Sequence, residues 1–454
     1  MKIAYISAGA AGMYCGTCLH DNTLSAALME KGHEVSLTPT YTLPRTDDPS
    51  VAIDQIFFGA INVYLQQKVP LFRKTPRFLD ALLDQKWLLN LVSRFASGAN
   101  DPKMLGEMTL SMLEGERGQQ AKELDKLVEW LEEILQPEIV HLSFSLFAGF
   151  AKRIKERLDV PVVCSLQGED LFLSELEEPY YSKVVQELRE RDRDIDAFTV
   201  PCRYYADLMS GDFGIPRDSI RVAPLGINPH GYADIQPRQI SDDEPVVLGN
   251  LARFCPEKGT EQLIDAFKIL CDRPGSDRLK LRVAGYLADR DKAFHAKQKQ
   301  KLEDWGLMDR VDLVGEVDFQ GKLDFFSSID IFTMPTIYRE PKGLSVLESL
   351  ASGVPVVQPR HGAFPEWVEH TDGGLLVEPE SPQALADGIW QLYQDAELRR
   401  RLGRQARENA LAKFDHHVVA DQMLAIYQDV LDAHHGRDSQ NGRSTSTPEL
   451  RRAG

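Results

Sequence analysis

Twice along the chain, short apolar runs alternate with stretches whose apolar residues recur at helical spacing, and glycines punctuate the passages between them. In the first series Lys2–Ser7 reads as a strand, Gly9, Gly12 and Gly16 mark a turn, and Asn22–Lys31 repeats Leu24, Ala27 and Leu28 until Gly32. Val35–Pro39 then reads as the next strand. This is the opening of a βαβ unit, and such units build parallel sheets covered by helices. The rhythm resumes with a helix near 119–135, the runs IVHL and VPVVCSL, and strand candidates at Ala197–Val200 and Arg221–Ala223. A second series follows: VVLGNL, a helix over Thr260–Leu270, LKLRVAG, a helix near Lys292–Trp305, RVDLVG, IDIFTM, a helix from Ser345, and PVVQ. The alternation predicts an α/β chain of two doubly wound, Rossmann-like domains in tandem, a division that suits 454 residues.

The first domain is expected over residues 1–228, with a helical insertion at 60–118 where the strand–helix rhythm breaks. A polar linker is expected over 229–244 and the second domain over 245–415. Residues 416–435 are expected to form a helix returning to the first domain, and 436–454, with little apolar content to offset the entropy of ordering, a disordered tail. Within the insertion, Arg73, Lys74 and Arg77 lie among Leu71, Phe72 and Phe78. That pattern reads first as a helical lid packed on its own domain, with contact with a membrane surface or an acceptor as the alternative.

Charge narrows the partners. Lys and Arg total 52 against 69 Asp and Glu, a net −17, the opposite of the bias that phosphate contacts give a duplex-binding surface. Nucleic acid is therefore not an expected partner, although a local basic pocket for a phosphate-bearing small molecule remains compatible with that balance. MKIAYIS reaches Gly9 too soon to be a secretory signal, and the richest apolar windows, Ile56–Leu65 and Leu142–Ala151, fall short of a spanning helix. A cytoplasmic location is expected, with peripheral contact at the inner membrane face as its variant. Cys164, Cys202, Cys255 and Cys271 are scattered singly and read as reduced, mostly structural thiols.

Four constellations carry chemistry. The small residues of SAGAAGMYCGTC stand between the first strand and the first helix, where a ligand can approach the backbone and the helix amides, or where glycine serves the turn alone. Cys15-x-x-Cys18, near His20 and Asp21, fits a structural or substrate-lining pair, a redox pair, or half a metal site. Arg253 and Lys258 occupy one strand-to-helix loop and can converge on a diphosphate. In PTIYREPKGLSVLESLASGVPVVQP, Glu340 and Glu348 flank a short turn that enters a helix, and Ser345-x-x-Glu348 also fits a capping box.

At this segment the sequence resembles glycosyltransferase family 4, retaining enzymes of GT-B fold that use nucleotide-sugar donors. The matching pattern is a Glu, seven intervening residues and a second Glu with Gly-Leu midway: here Glu340, Gly343, Leu344 and Glu348. ARFCPEKGTEQLIDAF looks like the family's donor-phosphate loop, and SGVPVVQPRHGAFPEWVEHTDGGLLVEPESPQALADGI like its C-terminal signature. The resemblance implies two domains facing a deep cleft, donor in the second, acceptor in the first. It implies that Glu340 contacts the transferred sugar, that Glu348 holds the ribose hydroxyls, that Arg253 and Lys258 take the phosphates, and that Gly343, Leu344 and Ser345 offer backbone amides. Gly9, Gly12, Gln167 and Asp170 would then face the acceptor side. A donor such as UDP-glucose or GDP-mannose enters as substrate, no further cofactor is implied, and the acceptor is a glycan, lipid or small molecule. The chain departs from the family where relatives often carry His-Gly-x-Asp: Gln167-Gly168-Glu169-Asp170 replaces the histidine with a side chain that only hydrogen-bonds. Pro341 and Lys342 also replace Gly and an aromatic residue, and Lys342 adds positive charge near the expected sugar site.

The strings Asp192-Arg193-Asp194 and Asp194-Ile195-Asp196 suit a metal-chelating transferase in composition only. They precede a strand, whereas open α/β sheets bind ligands beyond the carboxyl ends. No metal site is therefore expected. The reading that follows is a retaining, metal-independent hexosyltransferase. Its alternatives are a nucleotide-sugar-binding protein without transfer activity, and a GT-B isomerase or phosphorylase.

Overall fold

The computed structural model describes residues 1–9, 15–58, 102–241 and 243–442. Strands β1 (Lys2–Ser7), β2 (Glu34–Pro39), β3 (Ile139–Leu142), β4 (Val162–Ser165), β5 (Ala197–Val200) and β6 (Ile220–Val222) form one sheet in the order β2-β1-β3-β4-β5-β6. Strands β7 (Val246–Leu251), β8 (Leu279–Ala284), β9 (Val311–Gly315), β10 (Ile331–Phe332), β11 (Val356–Pro359) and β12 (Gly374–Val377) form a second, β12-β11-β10-β7-β8-β9. Every pairing between these strands is parallel. Helices cover both faces of such sheets, so central strands are buried throughout: all four residues of β3, β4, β5 and β11 are buried. That is why they appear in the sequence as unbroken apolar runs rather than alternating ones. The two-domain α/β expectation holds, and the architecture is GT-B.

The chain crosses between lobes twice, at 226–228 and at 414–416, and the crossings pair through Ile227 and Asp415. After the second crossing the His416–Gly442 helix packs on the first lobe, where Ala420, Met423, Tyr427 and Val430 join Ile3, Tyr5, Leu24 and Leu37 in one core cluster. The helix runs to Gly442, so residues 436–442 are helical where a disordered tail was expected; extending an established helix adds a hydrogen bond for each residue fixed. The segment read as a linker is docked rather than free. Tyr232 and Ile235 are buried, and the Arg407 guanidinium donates to the carbonyl oxygens of both.

Of the helical insertion, Pro102–Glu114 is a helix that packs against Tyr180–Arg191, with the Tyr180 hydroxyl donating to Glu107 at 3.0 Å. Residues 59–101, with Arg73, Lys74 and Arg77, lie outside the described residues, as does Gly12.

Candidate functional site

In the second sheet the strand order reverses between β7 and β10, which lie side by side. A reversal of this kind opens a crevice beyond the strands' carboxyl ends. The loop after β7 carries Arg253 and Lys258, and the loop after β10 carries Tyr338 and Glu340, so topology alone brings these residues to one crevice. The two loops touch at Gly259, whose φ is +73°; a Cβ there would lie 1.6 Å from the Pro335 carbonyl oxygen.

Lys258 Nζ is ion-paired with Glu340 Oε2, and Tyr338 supplies a hydroxyl to both, 2.8 Å from the ammonium. The other carboxylate oxygen of Glu340 accepts from the amides of Lys342 (3.2 Å) and Gly343 (3.3 Å). Burial alone would push the Glu340 carboxyl up, but Lys258, the Tyr338 hydroxyl and Lys342 outweigh it and hold the group at about 2. Glu340 is therefore a buried, fully ionised carboxylate. Arg253 stands on the same loop but turns away from this pair: its Nε donates to Cys255 Sγ at 3.2 Å, and its Nη2 lies 3.6 Å from Glu257.

Past the turn, Gly343 holds φ +64°, and a Cβ there would come 2.8 Å from the Phe364 ring. The helix Leu344–Ala351 begins at once, so the Leu344 and Ser345 amides have no intrahelical acceptor and form a positive terminus. Glu348 does not close a capping box with Ser345. Its Oε1 accepts from the Tyr232 hydroxyl and Lys322 Nζ, each at 3.1 Å, and Lys322 reaches on to Asp47 of the first lobe at 2.6 Å. His20, Asp47, Asn228, Tyr232, Leu344 and Glu348 line a hollow of about 30 Å³ between the lobes, the room of about one water.

Across the cleft, Gln167 is turned inward. Its Nε2 donates to Asp21 Oδ1 and to the Ser143 carbonyl, both at 2.9 Å, and its backbone amide donates to Glu169. Asp170 opens a short helix over the Tyr205 hydroxyl, and burial raises its carboxyl. Gly9 has φ +78°, and the space a Cβ would take is filled by the Thr42 carbonyl, 1.8 Å away, rather than left for a ligand. Asp21, which also accepts from the Tyr5 hydroxyl at 2.9 Å, is fully buried and pushed up by burial to about 7. Lys342 spans the cleft, its ammonium 2.8 Å from the Thr17 hydroxyl. Sequence reasoning missed Tyr338, Lys322, Asp47 and Tyr232; only Tyr338, two residues from Glu340, left a local signal.

Asp192–Asp194 form a single tight turn before β5, at the opposite end of the first sheet from the cleft, with Asp194 beside Arg191 and Asp196 taken by Lys155. Among the described residues, three metal-ligating side chains converge at Glu30, His416 and His417, by the lobe crossing and away from the donor loops.

The model of the family "Glycosyltransferase Family 4" matches residues 110–230, and that of "Glycosyl transferases group 1" matches 233–409. The MMP alpha-(1->4)-mannosyltransferase of Mycolicibacterium hassiacum is 24% identical over 433 residues, covering 94% of this chain and 98% of that protein. The mannosylfructose-phosphate synthase of Agrobacterium fabrum is 28% identical over 306 residues, 66% of this chain, and the match spans 65% of that relative, just under two thirds. Anabaena HepE solved in complex with UDP superposes with a TM-score of 0.66 at 17% identity, covering 94% of this chain and all of that one, a likeness of fold. With one family model on each lobe and the sheet order of the GT-B architecture, the chain belongs to the group 1 glycosyl transferases of family 4.

Proposed function

We propose that the chain is a retaining hexosyltransferase that takes a nucleotide-sugar donor on its second lobe and an acceptor on its first. The observation that carries this reading is the Lys258–Glu340 contact at the switch point of the second sheet, beside an open helix N-terminus. As the bond to the sugar breaks, negative charge gathers on the leaving diphosphate and positive character on the ring. Lys258 and the Leu344 and Ser345 amides stabilise the first, joined by Arg253 once its guanidinium leaves Glu257, and the ionised Glu340 stabilises the second. Glu348, oriented through one oxygen by Tyr232 and Lys322, offers the other to the ribose hydroxyls. HepE's complex with UDP supports a nucleotide diphosphate donor. Metal independence fits the position of Asp192–Asp196 at the wrong end of the sheet, and the two cations, Arg253 and Lys258, that the loop after β7 supplies. No helix among the described residues is long and apolar enough to cross a membrane.

The test is a panel of UDP- and GDP-sugars incubated with the protein while free nucleotide is measured, with and without a chelator. One donor is expected to give release that Glu340→Gln lowers by roughly 10²–10³-fold, as loss of a charge-stabilising group does. Tight donor binding with no release from the unaltered chain would identify a binding protein instead, and phosphate-dependent product a phosphorylase.

A further inference from the structure

The Cys15-x-x-Cys18 motif lies outside the donor chemistry, and the structure gives it unusual surroundings. Cys15 is the N-cap of the 15-residue helix Gly16–Glu30, which has no acidic residue in its first turn. Cys18 follows one helical turn later on the same helix, and the Lys342 ammonium of the opposite lobe stands at this terminus, 2.8 Å from the Thr17 hydroxyl. We propose that Cys15 and Cys18 form a peroxide-reactive dithiol where the two lobes meet, Cys15 attacking and Cys18 resolving.

Three features carry the assignment. Amides at a helix N-terminus and a nearby cation stabilise a thiolate over a thiol. The neighbouring Cys18, then the Lys342 ammonium and the amides of the helix start, hold the Cys15 thiol well below the usual range against the effect of burial, while the neighbouring Cys15 and burial push Cys18 up. Selectivity follows from the remaining cysteines: Cys164, Cys202 and Cys255 are buried, and burial pushes half-buried Cys271 up to about 11. The chemistry balances with hydrogen peroxide as oxidant. Cys15 sulfur attacks one peroxide oxygen, the O–O bond breaks, and a sulfenic acid and hydroxide form. The Cys18 sulfur then attacks Cys15, expelling a second hydroxide, and the two thiol protons complete two waters. The dithiol loses two electrons and peroxide gains them.

The decisive measurement is a brief iodoacetamide pulse on the full chain followed by peptide mapping. At about pH 6, well under the ~8.5 of an ordinary thiol, Cys15 is expected to take most of the label. Lys342→Gln is expected to lower that labelling several-fold. After peroxide, mapping is expected to find a Cys15–Cys18 disulfide, and in Cys18→Ser a Cys15 sulfenic acid that a 1,3-dione traps. Cys15 silent at pH 6 in the unaltered protein, or peroxide treatment that leaves both thiols free or carries Cys15 to a sulfinic acid with no disulfide, overturns the proposal. None of these readouts depends on sugar transfer.

Discussion

The Lys258 ammonium and the Glu340 carboxylate, 82 residues apart in the chain, meet in an ion pair that shares the Tyr338 hydroxyl. Glu340 is 3% exposed, so its charge depends on that partner. Lys258→Ala leaves the carboxylate buried with weaker compensation, a change that costs ~3–5 kcal/mol in comparable buried pairs. The double variant Lys258→Ala with Glu340→Gln is expected to recover much of that loss. Urea unfolding of the three variants at neutral pH checks this, and a single variant as stable as the unaltered chain would show that the pair is solvated after all.

The same pair sets a pH dependence whose sign is fixed. The folded Glu340 carboxyl sits at about 2, below the ~4.3 of an unfolded glutamate. Its stabilisation is therefore complete above the unfolded value and drains away as pH falls from there through the folded one. Glu340→Gln is expected to flatten this part of the acid unfolding profile, by on the order of 3 kcal/mol between about pH 5 and pH 2. Identical acid limbs for variant and parent would remove Glu340 as the source.

Much of this was legible in the sequence because it is local. The βαβ rhythm follows from periodicity, and Arg253, Lys258, Glu340 and Glu348 sit in short motifs whose loops leave neighbouring strands at a switch point. What escaped is long-range or depends on how space is filled. Lys322 and Asp47 are 275 residues apart, and no periodicity announces a salt bridge of that span. Tyr232 lies in a stretch whose polar composition reads as a tether, yet its ring packs against Phe319 and Phe326. Gly9 sits in a turn that suggests ligand approach, and only the fold shows Thr42 occupying that space. In the sequence Gln167 stands out only as the lack of a histidine, whereas its amide holds a buried aspartate.

Glu348 depends on Tyr232 for orientation, since the hydroxyl and Lys322 share one carboxylate oxygen. Tyr232→Phe keeps the packed ring and deletes that hydrogen bond, worth ~0.5–1.5 kcal/mol. Donor KM is expected to rise roughly 2- to 10-fold by that figure while kcat changes little. Steady-state kinetics with the donor varied decide it: a fall in kcat at constant KM would place Tyr232 in the chemical step instead of ribose binding.

Asp21 should oppose Glu340 in its effect on stability. Its Oδ1 accepts from Tyr5 and Gln167, but its Oδ2 is buried with no partner, which is the environment in which a carboxyl keeps its proton. With a folded value of about 7 against ~3.9 unfolded, the native state binds the extra proton, so stability contributed at acid pH is lost as pH rises between those values. Asp21→Asn preserves an oxygen for both donors and cannot ionise. The variant is expected to match the parent within about 1 kcal/mol near pH 4 and to exceed it by a few kcal/mol near pH 8, the linkage expected for a shift of this size. Denaturant unfolding at the two pH values measures the difference. Equal slopes against pH in variant and parent would mean that Asp21 is already ionised in the fold, and that Tyr5 and Gln167 compensate a full charge at the floor of the cleft.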